Sequence, residues 1–223
     1  MDYSIIRSRR KTIGIYIIDG KVEVRAPLGM PTADIERVVT SKAKWITEKL
    51  SLTEQSHKQR SAFSLSYGDK LAFLGNDYLI EMREGRQAGF DGTVFYMPDG
   101  LEPEEIMSIC ITIYKGLAKQ HLSRAVSRFS TAMGVKPVSV GITSAKTRWG
   151  SCSSRGSLNF SWRLILADSK AVDSVVVHEL AHLIELNHSP RFWAIVYEQM
   201  PDYDEQKAVL QSLQKRLAAE RWE

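Results

Sequence analysis

Residues 175–182 read Val-Val-Val-His-Glu-Leu-Ala-His, an H-E-x-x-H motif within a segment that is apolar on nearly every side. Such a segment predicts a buried helix, on which residues four positions apart lie one turn above each other. His178 and His182 can therefore direct their imidazoles at one metal ion, with Glu179 beside the first of them. Burying these three polar groups without partners would be costly, so the pattern favours a zinc site over ordinary core histidines.

A third histidine follows closely. His188 comes six residues after His182, past the expected helix end, where the chain can turn back toward the metal. In the pattern H-E-x-x-H-x-x-G-x-x-H a glycine makes this turn, but here Glu185 takes its place. Asn187 is then the expected turn residue, because Asn tolerates the left-handed conformation, and Ser189-Pro190 opens the next helix. Glu185 is the competing third ligand, and three protein ligands would leave one position for water, as in catalytic zinc sites.

A second motif, Arg148-Trp149-Gly150-Ser151-Cys152, lies between two expected strands and offers candidate substrate contacts. Arg148 could stabilise an oxyanion or hold a phosphate, and Trp149 could floor a side-chain pocket or stack on a base. The backbone of Gly150 and Ser151 could donate hydrogen bonds. The whole segment could instead be a tight structural turn. Cys152 could be a small buried thiol, or a fourth metal ligand that keeps the site inactive.

These motifs resemble a known family. The chain is similar to the YgjP-like metallopeptidases, which are related to the WLM and SprT-like zincins, over nearly its whole length. The similar segments are His178–His182, Asn187–Ser189 with Phe192-Trp193, Arg148–Cys152 followed by Leu158-Asn159, and Arg7–Thr12 with Val24–Pro27. The resemblance implies an α+β fold with a zincin-like metalloprotease core.

The resemblance also implies roles for individual residues. His178, His182 and His188 would be the ligands of one zinc ion per chain, and Glu179 would be the general base. Zincins often place a tyrosine after the third histidine to stabilise the tetrahedral intermediate. Tyr203 is therefore a further candidate for substrate binding, and Tyr197 is another.

The leading functional hypothesis is a metallopeptidase in which zinc activates a water molecule and Glu179 takes its proton. An alternative, which some family members carry as an assignment, is a nucleoside triphosphate (UTP) pyrophosphatase using the same metal centre. Arg148 and the basic run Arg7–Lys11 would then neutralise the phosphates, and Mg²⁺ would accompany the nucleotide. A non-catalytic, zinc-stabilised binding module is the second alternative. The expected partner is a peptide or protein substrate or a nucleoside triphosphate; nucleic acid has no specific support, and no membrane partner is expected.

The amino-acid composition indicates the general class of protein. The chain has 223 residues, of which 43% are hydrophobic and 25% charged, as in a globular protein with a sizeable core. A net charge of +4 permits a phosphate-rich partner without arguing for one. The sequence begins without a signal-peptide pattern, so Cys110 and Cys152 are expected to be reduced thiols in a cytoplasmic protein.

A change of pattern near residue 100 suggests two parts. Residues 1–100 are expected to form a β-rich N-terminal lobe and residues 101–223 the zincin-like catalytic domain, although the two could be one continuous domain. Asp19-Gly20 predicts a hairpin turn, Thr53–Ser64 a polar loop, and about residues 103–132 a long helix.

Overall fold

The computed structural model of the chain describes residues 2–18, 20–220 and 222, and gives the backbone alone for 56–61. The chain divides into a smaller unit, residues 1–63 with 218–221, and a larger unit, residues 64–217 with 222–223. Within the described residues, no helix is both long enough and apolar enough to cross a lipid bilayer.

The smaller unit packs two helices on one face of a three-stranded sheet. Its elements are β1 (Tyr3–Ser8), β2 (Gly14–Ile18), β3 (Lys21–Pro27), α1 (Thr32–Ser41) and α2 (Ala43–Ala62). The sheet order is β1-β3-β2, with β1 parallel and β2 antiparallel to β3. Val22, Val24 and Ala26 alternate inward from β3 and form a core with Ile35 and Ile46, as the two-residue period of a strand requires.

Of two structural predictions for this unit, the hairpin is confirmed and the loop is wrong. The β2–β3 hairpin is confirmed, with Gly20 at a φ of 72°, while Asp19 lies outside the described residues. The predicted loop over Thr53–Ser64 is wrong, because α2 continues to Ala62. The segment is rich in Glu, Gln, Lys and Arg, which are good helix formers, so its polarity is compatible with a helix.

The larger unit begins with a four-stranded sheet of order β4-β5-β7-β6, built from β4 (Lys70–Phe73), β5 (Asn76–Met82), β6 (Gly89–Phe90) and β7 (Phe95–Met97). Long-range hydrogen bonds join this sheet to the later helices. The Leu74 N–H donates to the Ile165 carbonyl at 2.9 Å, and the Tyr114 hydroxyl donates to the Ala72 carbonyl at 2.8 Å. The units therefore divide at residue 63, whereas composition suggested a boundary at residue 100.

The remaining elements surround the H-E-x-x-H segment. They are α3 (Pro103–Ala132), β8 (Ser139–Thr143), β9 (Gly150–Cys152), β10 (Ser157–Ser161), a buried 3₁₀ turn (Trp162–Leu166), α4 (Ser169–Ala181), α5 (Pro190–Gln199) and α6 (Tyr203–Ala219). The long helix predicted near residues 103–132 is confirmed as α3. The mixed sheet has the order β8-β10-β9, with β8 parallel and β9 antiparallel to β10.

The position of α4 is fixed by its N-cap and by burial. The Asp168 carboxylate accepts the Ala171 N–H at 2.9 Å, which satisfies a backbone donor that the first helical turn leaves free. The three valines 175–177 are buried, and α4 contacts both α3 and the edge strand β9. The fold is therefore α+β, with the histidine-bearing helix beside a mixed sheet, as in a zincin-like core.

Candidate metal centre

Three histidines come together at the C-terminal end of α4. His178 lies in its last turn, His182 is its C-cap, and His188 lies in the connection to α5. One ring nitrogen of each lies within 4.8 Å of the others, the one such group of three among the described residues. The Nε2 atoms of His178 and His188 are 3.1 Å apart. Tetrahedral zinc with nitrogen ligands at about 2.0–2.1 Å places those nitrogens about 3.3 Å apart, so the His178–His188 pair already has the spacing that a zinc ion requires.

Hydrogen bonds orient two of the imidazoles. His182 Nδ1 lies 3.2 Å from the backbone carbonyl of Glu185, and His178 Nδ1 lies 3.0 Å from the hydroxyl of Tyr203. When each Nδ1 carries the proton and donates it, each Nε2 keeps a lone pair for a metal, which is the usual arrangement behind metal-binding histidines. The Glu185 carboxylate lies outside the histidine group, so the structure brings His188 to the third position.

The chain leaves α4 without a left-handed residue. α4 ends at Ala181, and the N–H groups of Leu183 and Ile184 bond to carbonyls three residues back, which tightens the helix end. Leu74 is the one non-glycine residue with positive φ among those described, so the left-handed turn expected at Asn187 is wrong. Ser189 is confirmed as the N-cap of α5, with its hydroxyl accepting the Phe192 N–H at 3.3 Å.

Two aromatic rings back the histidines. Phe192 is fully buried, and its ring centroid lies 4.5–5.0 Å from all three imidazoles. Trp193 stacks on His188 with centroids 5.7 Å apart. Burial, followed by the nearby His182 and His188, lowers the pKa of His178 to about 4. His178 is thus neutral at pH 7, the protonation state that metal coordination requires.

Glu179 is only 6% exposed and lies against the edge strand β9. Burial raises the pKa of its carboxyl group to about 7, although the charge of Arg148 acts in the opposite direction. A Cβ atom at Gly150 would lie 2.6 Å from Oε1 of Glu179, closer than real atoms approach. Gly150 has ordinary extended backbone, so a glycine is needed here for space alone. This role escaped the sequence analysis, which considered Gly150 only as a backbone donor.

Among the described residues, no strand pairs with the outer edge of β9. The Ser161 N–H donates to the Trp149 carbonyl at 2.8 Å, and the Ser153 N–H donates to the Ser157 carbonyl at 2.9 Å. Hydrogen-bonded positions alternate along an antiparallel pair. The polar backbone groups of Gly150 and Cys152 therefore point away from β10, toward the free edge.

A cleft of about 300 Å³, here called the first cleft, opens beside His178 and Glu179. Trp149 and Tyr203, both predicted as substrate contacts, line it. Its far wall is a helical stripe of α6, which adds Lys207, Leu210, Gln211 and Gln214. Nothing in the sequence alone distinguished Lys207 from an ordinary solvated lysine, although it lies one helical turn after Tyr203.

The other two predicted substrate contacts line a second cleft of about 240 Å³. Arg148 and Ser151 border it together with Thr143 and Asn159, and Trp149 and Gly150 are shared with the first cleft. Side chains alternate along β9, so Ser151 points to the face of the sheet opposite Glu179. The structure thus divides the four residues between two adjoining clefts.

Two alternative site residues, Cys152 and Tyr197, have other surroundings than the sequence analysis considered. The half-buried Cys152 thiol is not among the converging metal donors, and burial, with the nearby Glu179 charge, raises its pKa. The exposed Tyr197 hydroxyl donates to the Asp204 carboxylate at 2.8 Å.

The basic run near the N-terminus has a structural use. The Arg7 guanidinium donates to the backbone carbonyls of Pro27, Leu28 and Met30, the last at 2.5 Å. Arg7 therefore fastens the chain between β3 and α1 within the smaller unit.

A family model described as "YgjP-like, metallopeptidase domain" matches residues 11–213. Among solved structures, the metallopeptidase zymogen abylysin of Pyrococcus abyssi is similar at 19% identity and a TM-score of 0.38, covering 45% of this chain and 98% of that chain. The metallopeptidase zymogen jannalysin of Methanocaldococcus jannaschii is similar at 18% identity and a TM-score of 0.37, covering 41% of this chain and 96% of that chain. No curated protein matches the chain.

Proposed function

This chain belongs to the YgjP-like metallopeptidase family, and from that premise we propose that it is a zinc-dependent peptidase that cleaves extended segments of polypeptide. Family membership makes it a metal-dependent hydrolase. The observation that carries the finer proposal is the convergence of three imidazole nitrogens within 4.8 Å, next to a buried carboxylate and an open cleft. Three protein ligands would leave room for a reacting group, as catalytic zinc sites do.

The ligand set in this proposal is His178, His182 and His188. A bound zinc ion supplies Lewis acidity, which polarises a carbonyl group and lowers the pKa of water. Tyr203 and the Glu185 carbonyl would accept hydrogen bonds from the Nδ1–H groups of two ligands, which would leave both Nε2 lone pairs available to a zinc ion. This arrangement makes Tyr203 a positioning residue for His178, in addition to lining the cleft.

Glu179 is the general base. With its pKa raised to about 7 by burial, the carboxylate can accept a proton from water at neutral pH and release it to the leaving amine. Gly150 leaves the space in which the carboxylate lies, and the low exposure of Glu179 keeps solvent from competing for the proton.

The free edge of β9 is the substrate guide. The outward backbone groups of Gly150 and Cys152 can pair with an extended peptide, which would add a strand to the sheet. Because Glu179 touches Gly150, the bond to be cleaved would lie at the Gly150 end of that strand. This geometry suits a flexible, unfolded segment better than a folded surface.

The test compares wild-type protein with Glu179→Gln, both purified and quantified for zinc. Casein, an unfolded protein, and UTP are assayed in parallel. We expect casein cleavage by wild type, a loss of at least 1,000-fold in Glu179→Gln, and equal zinc content in both. The matched control is Glu198→Gln, which neutralises an exposed carboxylate on α5 outside the cleft and should retain full activity. UTP hydrolysis that depends on Glu179, without proteolysis, would overturn the proposal in favour of the pyrophosphatase.

A further inference from the structure

We propose, resting on the function above, that the leaving-group side of the site binds a carboxylate where the first and second clefts adjoin at Trp149. The enzyme would then prefer substrates that carry an acidic side chain, or a free C-terminus, within two residues after the scissile bond. Both sources offer the same chemistry, a carboxylate that accepts charge-assisted hydrogen bonds.

The direction of the edge strand determines which side of the substrate meets the cations. β9 runs from Gly150 to Cys152, and an added strand is most stable when antiparallel. An antiparallel peptide would have its N-terminal part beside Cys152 and would continue past Gly150 toward Trp149 and Arg148. With the scissile bond at Gly150, the residues after that bond lie between Trp149 and the α6 wall of the first cleft.

The charges along that path are unbalanced. Among the described residues that line the two clefts, Glu179 is the one carboxylate, and the proposed function already uses it. Lys207 and Arg148 are the two cations, one on each cleft, and both are exposed. Lys207 lines the same cleft as His178 and Glu179, and Arg148 lies two residues before Gly150, which the Glu179 carboxylate contacts.

Neither cation is already engaged by an anion that would have to be displaced. Across residues 2–18, 20–220 and 222, no ion pair or hydrogen bond joins the side chain of Lys207 or Arg148 to a neighbour. By contrast, Lys170 lies 3.5 Å from Asp202, and Arg128 is paired with Asp173. Two unpaired cations beside one buried base are an arrangement that attracts an anion.

The two cations lie on elements that are fastened together. The Gln214 amide of α6 donates to the Lys146 carbonyl at 2.9 Å, which ties the helix carrying Lys207 to the segment that leads into Arg148. Gln211, one turn after Lys207, adds a neutral amide donor to the same wall. Val175 and Leu210 supply apolar surface for the stem of the bound residue.

The experiment uses two pairs of quenched-fluorescent peptides, built on a site that mass spectrometry identifies in digested casein. One pair differs by Glu or Gln directly after the scissile bond. The other pair ends two residues after that bond in either a free carboxylate or an amide. We expect wild type to favour the carboxylate in at least one pair by about threefold to tenfold in kcat/KM, a ratio that falls as salt is added. The pair that shows the preference identifies the source of the carboxylate.

Variants assign the preference to the cleft. In Lys207→Glu with Arg148→Gln, the ratio should fall to one or invert, whereas Lys119→Gln, which removes an exposed lysine of α3 remote from both clefts, should keep the wild-type ratio. Equal cleavage within both pairs by wild type, or a preference that survives the double variant, would overturn the inference and leave the proposed peptidase function standing. Failure of the proposed function is a different result, namely the absence of Glu179-dependent cleavage of any peptide.

Discussion

The two walls of the first cleft differ in how they hold their side chains. The inner wall, formed by α4 and β9, has a 6%-exposed Glu179 pressed against Gly150 and two histidines oriented by hydrogen bonds. The outer wall, the stripe of α6, presents the exposed polar side chains of Lys207 and Gln211. The contrast indicates that burial fixes the reacting groups, while exposed groups recognise the substrate. Changes in the inner wall should alter metal binding and kcat, and changes in the outer wall should alter preference.

The largest effect should come from removing a ligand. His188→Ala deletes one of three imidazoles, and zinc affinity should fall by more than 100-fold, since loss of even a hydrogen-bonding partner behind a ligand costs about 10- to 100-fold. Zinc titration with a competing chelator measures this. Asn187→Ala, an exposed neighbour, should bind zinc as wild type does. Unchanged zinc affinity in His188→Ala would point to Glu185 as the third ligand.

Burial of the Glu179 carboxylate should lower the free energy of unfolding at neutral pH. In metal-free protein the Glu179 pKa is raised from 4.5 to about 7, so the folded state holds the proton more tightly than the unfolded state. The associated stability is fully present below pH 4.5, is lost as pH rises toward 7, and does not return above it. Each tenfold change in proton affinity is about 1.4 kcal/mol, which makes the loss about 3 kcal/mol.

Glu179→Gln removes that loss. Urea unfolding of metal-free protein at pH 8 should therefore find Glu179→Gln more stable than wild type by up to about 3 kcal/mol, and the difference should disappear near pH 4.5. Glu198→Gln should stay within about 0.5 kcal/mol of wild type at both pH values. Equal stability of Glu179→Gln and wild type at pH 8 would mean that the carboxylate is well solvated.

The contact between Gly150 and Glu179 can be tested directly. Gly150→Ala places a Cβ where the carboxylate lies, so Glu179 must move, and a displacement of about 1 Å typically lowers kcat by about 100-fold. KM and zinc content should change little. Gly116→Ala is the control, because a Cβ there meets no atom within 4 Å and α3 accommodates alanine well. Full kcat in Gly150→Ala would show that the contact does not position the base.

The smallest expected effect is that of Tyr203→Phe, which tests whether Tyr203 positions His178 or contacts the substrate. Tyr203→Phe keeps the ring against His178 but removes the oxygen that accepts its Nδ1 proton, so zinc affinity should fall by about tenfold. Tyr197→Phe loses a bond to Asp204 instead and should leave zinc affinity unchanged. A fall in kcat without any change in zinc affinity would mean that Tyr203 acts on the substrate and not on the ligand.

The sequence predicted the parts of the site that depend on local geometry. Two histidines four residues apart on a helix must share a face, and Ser189 before proline must begin a new helix, so α4, α5 and the proposed ligands could be inferred. The contact between Glu179 and Gly150 joins distant segments through the packing of β9 on α4, and no local period encodes it. Lys207 on a polar helix face has the pattern of a solvated charge.

The polar segment before residue 63 is another place where the local sequence pattern did not determine the structure. A run of Glu, Gln, Lys and Arg is compatible with a loop and with an exposed helix, and its polarity alone cannot distinguish them. The structure continues α2 through it to Ala62, where the sequence analysis expected a loop.

X-ray absorption at the zinc edge of the metal-loaded protein tests the proposed ligand set, because it separates sulfur from nitrogen or oxygen ligands and counts the coordinated imidazoles. We expect three imidazoles with nitrogens at about 2.0–2.1 Å and one further nitrogen or oxygen ligand, with no sulfur. A sulfur neighbour at about 2.3 Å, contributed by Cys152, would contradict an open site by closing it, and fewer than three imidazoles would contradict the proposed ligand set.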